Sequence, residues 1–186
     1  MRRQIAYLML INSFFVLAIN MFAPLYAVYV QKIDTTVLNV GGIWSFYIFG
    51  VGIFAYLVSR LESHIKYASY LLILGFLLRA SGWLGYIFAN EVWQLYAIQV
   101  FLALGEALGS PSYNQLFAEH VSKGSVAPEW GISMSINSII MGVASFAGAL
   151  IVYTYGFNAL FALMILLTFV STILALKYRQ MLHLTA

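Results

Sequence analysis

The sequence predicts an all-α, polytopic membrane protein, and three observations carry that prediction. Of its 186 residues, 63% are hydrophobic and only 8% charged, where a soluble domain would carry roughly a quarter charged. Apolar stretches close to or above the spanning length of about 20 residues recur along the whole chain. Finally, counting those stretches as spans leaves nearly all the positive charge on one side of the membrane.

Breaks at polar or Gly/Pro clusters give six spans, over residues 5–30, 41–59, 66–89, 92–118, 131–154 and 157–177. Arg2-Arg3 before an apolar run resembles a signal peptide at first sight. The run continues to Val30, however, well past a signal's h-region, so it reads as the first span. The connectors are short and contain no linker or low-complexity segment, so residues 1–186 read as one six-helix transmembrane domain. With the N-terminus inside, Arg2, Arg3, Arg60, Lys66, Lys123, Lys177 and Arg179 are cytoplasmic and only Lys32 lies opposite. That bias puts both termini in the cytoplasm. Trp44, Trp93 and Trp130 fall near span ends, where interfacial anchors belong.

A short internal echo links the halves. "APLY" (Ala23–Tyr26) in span one and "SPSY" (Ser110–Tyr113) in span four lie about two-thirds along their helices. Spans one to three and four to six then read as three-helix repeats of inverted topology.

Two charges lie deep in spans: Arg79 in span three and Glu106 in span four. An Arg at a helix centre costs about 2.5–3.5 kcal/mol to insert. Leu, Ile and Phe around it offset that cost, but the charge still needs water or a partner. The tight turn near Asn90-Glu91 makes spans three and four a hairpin. Arg79 and Glu106 then differ in depth by roughly one helical turn, so the two are expected to pair. Two readings of such a pair stand side by side: a structural clamp between spans, or a role in substrate binding, proton coupling or gating.

At 100° per residue, Gln99, Glu106, Ser110 and Tyr113 form a polar stripe on span four. Asn12 and Asn20 on span one, and Ser133 and Asn137 on span five, add polar faces that must look inward. The candidate substrate or proton pathway is therefore Glu106, Gln99, Tyr113, Asn12, Asn20 and Asn137, with Arg79 positioning Glu106. For any single Asn or Ser the alternative is an ordinary interhelical hydrogen bond. The sequence has no cysteine, its three histidines are scattered, and no nucleophile–base pair is visible. No cofactor, metal, nucleic-acid or enzymatic role is expected.

These features resemble the amino-terminal half of the major facilitator superfamily. The connector after span two, "AYLVSRLESH" (Ala55–His64), occupies the place of the family's G-x-L-A-D-R-x-G-R-K. Leu57 and Arg60 match. Ser59 replaces the Asp, Glu62 the second Gly, and Ser63-His64 the basic pair, leaving Arg60 as the remnant of a gating loop. Gly105 and Pro111 are similar to the family's span-four pattern, though Phe101 stands where an Arg is common. "GSPSYNQLFAEHVSKGSVAPEWG" and "YGFNALF" look like small bacterial members, which implies the inner membrane. The family normally has twelve spans, so the resemblance implies a half-size transporter of a small solute. Its simplest assembly is a parallel homodimer with alternating access. In that assembly spans one and four line the cavity, and spans two and five meet across the interface at Gly52, Gly142 and Gly148. Two other readings of six such spans are the substrate-binding subunit of an ATPase-driven vitamin importer and a non-transporting membrane scaffold.

Overall fold

The computed structural model of the chain describes residues 3–61, 68–122 and 124–183. All its regular elements are helical: α1 (Arg3–Phe22), a 3-10 turn (Ala23–Leu25), α2 (Tyr26–Ile33), α3 (Val37–Leu61), α4 (Ala68–Phe88), α5 (Val92–His120), α6 (Val126–Tyr155) and α7 (Phe157–His183). Among the described residues, with α1 and α2 counted together, six segments are long and apolar enough to cross a membrane. The expected all-α, multi-pass architecture is therefore present. Arg2, Lys66, Lys123 and motif positions 62–64 lie outside the described residues.

Differences from the expected boundaries have local causes. The first span is broken rather than continuous. Pro24 has no N–H to donate, and the chain tightens into the 3-10 turn, where the Tyr26 N–H reaches the Ala23 carbonyl. Pro111, by contrast, sits inside an unbroken α5. α3 starts four residues before the expected 41. Asp34 Oδ1 accepts the Thr36 N–H at 2.7 Å, and the Thr36 carbonyl then accepts from Asn39 and Val40. The Thr36 hydroxyl and N–H also hold the Asp34 carboxyl below its ordinary range. α6 starts at Val126 rather than 131 because a proline is tolerated in a helix's first turn, where Pro128 lies. Glu129 helps there by accepting the Ser122 N–H at 3.2 Å.

The helices form an open series of neighbours. α3 packs on α5, α5 most extensively on α4, α4 on α7, α7 on α1 and α1 on α6. Helices α3 and α6, at the two ends of the series, are the least covered, with 6% and 11% of their apolar stretches buried against 39–50% elsewhere. Phe22, next to the break, anchors the core through ring contacts with Tyr26, Tyr29, Tyr86, Phe157 and Phe161. Tyr29 adds a 2.5 Å hydrogen bond to the Tyr86 carbonyl. At the opposite end Tyr7 stacks on Tyr178 at 6.2 Å, which brings the first and last helices together.

Two close approaches set the geometry. Between α4 and α5, a Cβ on Gly75 would lie 2.8 Å from the Gly105 carbonyl and from the Gly109 backbone. Between α1 and α6, a Cβ on Gly148 would overlap the Met21 carbonyl. Gly148 thus packs inside the bundle and is not available to a subunit interface, correcting that expectation. Gly142 has open space around it.

The substitution Gly148→Ala is expected to push α1 and α6 apart and lower stability by roughly 1–3 kcal/mol, the range for overpacking. Gly131→Ala, also on α6 and with nothing within 4 Å of its Cβ position, is expected not to lower it, since alanine favours the helix over glycine. Thermal denaturation of both variants in detergent checks the contrast.

Candidate functional site

Because α4 and α5 touch through glycine, a long side chain at their contact lies sandwiched between backbones. Arg79, one turn beyond Gly75, occupies that position and is 3% exposed. A Cβ on Gly105 would lie 2.8 Å from its Cγ, and one on Gly109 would lie 3.3 Å from its Nη2. The guanidinium lies over the Phe15 ring, 4.4 Å from the centroid. Its Nη2 donates to Glu106 Oε2 at 2.6 Å and more weakly to Ser110 at 3.5 Å. Ser110 in turn donates a short hydrogen bond to Glu106 Oε1. The expected Arg79–Glu106 pair is present, at the middle of both helices. Its partners differ in cover: 4% of the arginine side chain is accessible against 27% of the glutamate's.

Arg79 lines two cavities. The first, about 100 Å³, is an aromatic box that includes Phe22, Tyr26, Trp44, Tyr47, Trp83, Tyr86 and Gln99. The second, about 230 Å³, is more polar and includes Asn12, Ser110, Tyr113, Asn114 and Asn137. In the first, Gln99 is buried and its Nε2 donates to the hydroxyls of Tyr26 at 3.2 Å and Tyr86 at 3.1 Å. In the second, Asn12 Nδ2 donates to Asn137 Oδ1 at 3.3 Å, joining α1 to α6.

Most of the sequence candidates therefore converge on the charge pair. Two do not. Asn20 lines neither cavity, and its amide donates to the Val16 carbonyl of its own helix at 2.8 Å. Arg60 is exposed at the end of α3, where it donates to the Tyr56 hydroxyl at 2.7 Å. Trp44, expected as an interfacial anchor, also forms a wall of the aromatic box, 5.2 Å from the Tyr26 ring.

Sequence reasoning missed Phe15, Tyr26, Tyr47, Trp83 and Tyr86. Aromatic residues are common in membrane helices, and nothing marks these five out singly. One signal was available. Pro24 and Pro111 are 87 positions apart, as are Tyr26 and Tyr113, and Asn12 and Gln99. Tyr26 meets Gln99 on one side of Arg79, while Tyr113 and Asn12 share the cavity on the other side.

A membrane-spanning helical bundle with a buried ion pair between two small cavities has the form of a solute carrier. Comparison with protein families matches residues 8–182 to the Major Facilitator Superfamily, and the chain belongs to that family. No curated protein and no solved structure matches it. Members of the family are secondary membrane transporters, which makes this chain one.

Removing Glu106 alone leaves a buried guanidinium without its counter-charge. Glu106→Ala is expected to cost up to about 3–5 kcal/mol, the range for breaking a buried pair. The double variant Arg79→Met/Glu106→Leu is expected to recover most of that stability, since apolar replacement of a whole pair is often neutral. Thermal denaturation of the single and double variants measures both. A double variant no more stable than Glu106→Ala would show that the loss does not come from the guanidinium left unpaired.

Proposed function

We propose that the protein carries a small solute as a parallel homodimer, by alternating access, with Glu106 as the proton-accessible group of the pathway. The observation that carries this reading is the 27% accessibility of the Glu106 side chain at the centre of a span. A carboxylate there is not tolerated against lipid and needs protein or a water-filled cavity. A second six-helix bundle facing the first supplies both.

The least covered helices favour the same assembly. α3 and α6 end the series of neighbours, and their exposed faces include Phe49, Ile53, Met134 and Val143. A Cβ built on Gly52 or Gly142 has no other atom within 4 Å, so a second backbone has room to approach there.

The packing order supports inverted repeats. Exchanging the first three spans with the last three turns the pair α1·α6 into α5·α3, turns α1·α7 into α5·α4, and leaves α4·α7 unchanged. All five pairs are packed. Two cavities on either side of one arginine then give the solute a seat towards each side of the membrane. The charge bias read from the sequence puts both termini in the cytoplasm, across the cell's inner membrane.

Because the chain has no cysteine, introduced thiols report contacts cleanly. Phe49 and Val143 each lie about 18 Å along their helices from the ends away from the termini. The variant Phe49→Cys/Val143→Cys is expected to form disulfide-linked dimers in membranes. A Leu166→Cys control on α7 is expected not to. A monomer in nanodiscs with no cross-link overturns the homodimer.

A further inference from the structure

Glu106 satisfies Arg79 incompletely. A guanidinium is a fork whose best partner is a carboxylate taking two parallel N–H donors. Here Glu106 engages only Nη2, while Nε is buried without a hydrogen bond. A buried donor left unmade carries the full cost of its lost hydration, and more so for a charged group. Glu106 is tethered to α5 and held by Ser110, whereas a free carboxylate can turn to meet two prongs at once.

Charge points the same way. Arginine stays protonated in proteins, so a buried Arg79 needs one negative charge beside it at all times. If Glu106 takes a proton, that charge must come from elsewhere. The titratable groups facing Glu106 are Arg79 from α4 and Tyr47 from α3. On α1, the side facing the pair offers the neutral Asn12 and Phe15. Among the described residues there is no second anion there to substitute.

The cavity beside the guanidinium fits the rest of such a ligand. At about 230 Å³ it has room for roughly seven waters at about 30 Å³ each, hence for a molecule of a few carbons. Asn12, Asn137 and Tyr113 provide donors and acceptors for a hydroxyl or carbonyl. The Asn12–Asn137 hydrogen bond, at 3.3 Å, lies at the long end of its range and is readily exchanged.

We propose that the solute is a small organic monoanion whose carboxylate replaces Glu106 on Arg79 as Glu106 takes up one proton. Anion and proton enter together, so the site stays neutral through the exchange. The inference rests on the transporter reading for its role in carriage, but binding itself is testable without transport.

Acetate is the probe, with acetamide as its uncharged isostere and chloride as the ionic-strength control. The protonated-carboxyl infrared band of Glu106 is identified by its loss in Glu106→Gln and followed against pH in reconstituted protein. Acetate is expected to raise the pH midpoint of that band, and acetamide and chloride to leave it in place. Glu106→Gln, which no longer competes, is expected to bind acetate about tenfold more tightly than wild type at high pH. It is also expected to lose the pH dependence of binding. An unmoved midpoint together with unchanged affinity in Glu106→Gln overturns the proposal. So does acetate binding that survives Arg79→Gln in a folded variant. Linked acetate and proton binding without solute movement into proteoliposomes would uphold the anion site and remove the transport reading alone.

Discussion

The approach of α4 and α5 through Gly75, Gly105 and Gly109 is the constraint on which the rest of the structure depends. A side chain at Gly75 or Gly105 would separate the helices, since a Cβ at either falls against the opposing backbone, and one at Gly109 would press on the Arg79 guanidinium. The approach encloses Arg79 so tightly that its charge has few directions in which to find a partner. Glu106, one residue after Gly105, meets it, and Phe15 closes the other face of the guanidinium. Packing, not attraction between the charges, decides where the pair sits. The attraction then keeps the enclosed arginine from being prohibitively costly.

From that pair the bundle's asymmetry follows. The arginine is covered and the glutamate is partly open, so the arginine is held in place and the glutamate is the partner free to move. The cavities on either side of Arg79 differ in character: an aromatic box with Gln99 on one side, an amide-lined space with Asn12 and Asn137 on the other. Membership of the major facilitator superfamily accounts for the fold and the class of function. The particular solute is a matter of these side chains.

Much of this was legible in the sequence, for physical reasons. Spans could be counted because lipid requires long apolar helices. The Arg79–Glu106 pair could be found because two buried charges on one helical hairpin have few alternatives. Boundaries were less legible where polar residues begin a helix. Thr36 and Glu129 read as connector, yet their hydrogen bonds start α3 and α6. The break at Pro24 and the continuity at Pro111 were not distinguishable, since the same residue type interrupts one helix and lies inside the other. Asn20 illustrates a different limit. An amide facing inward by periodicity can still satisfy itself on its own backbone, as it does at Val16. The aromatic box was invisible because it is assembled from α1, α2, α3, α4 and α5 at once.

The central claim is that Arg79 and Glu106 form a direct ion pair within the membrane, enclosed by the glycine contact. Solid-state NMR on protein labelled at arginine guanidinium nitrogen and glutamate carboxyl carbon, reconstituted in bilayers at neutral pH, measures it without a ligand. The Glu106→Gln variant assigns the signal. The account predicts a dipolar coupling that places the Glu106 carboxyl carbon within about 4 Å of an Arg79 terminal nitrogen, as a charge-assisted hydrogen bond requires. A separation beyond about 6 Å would contradict it.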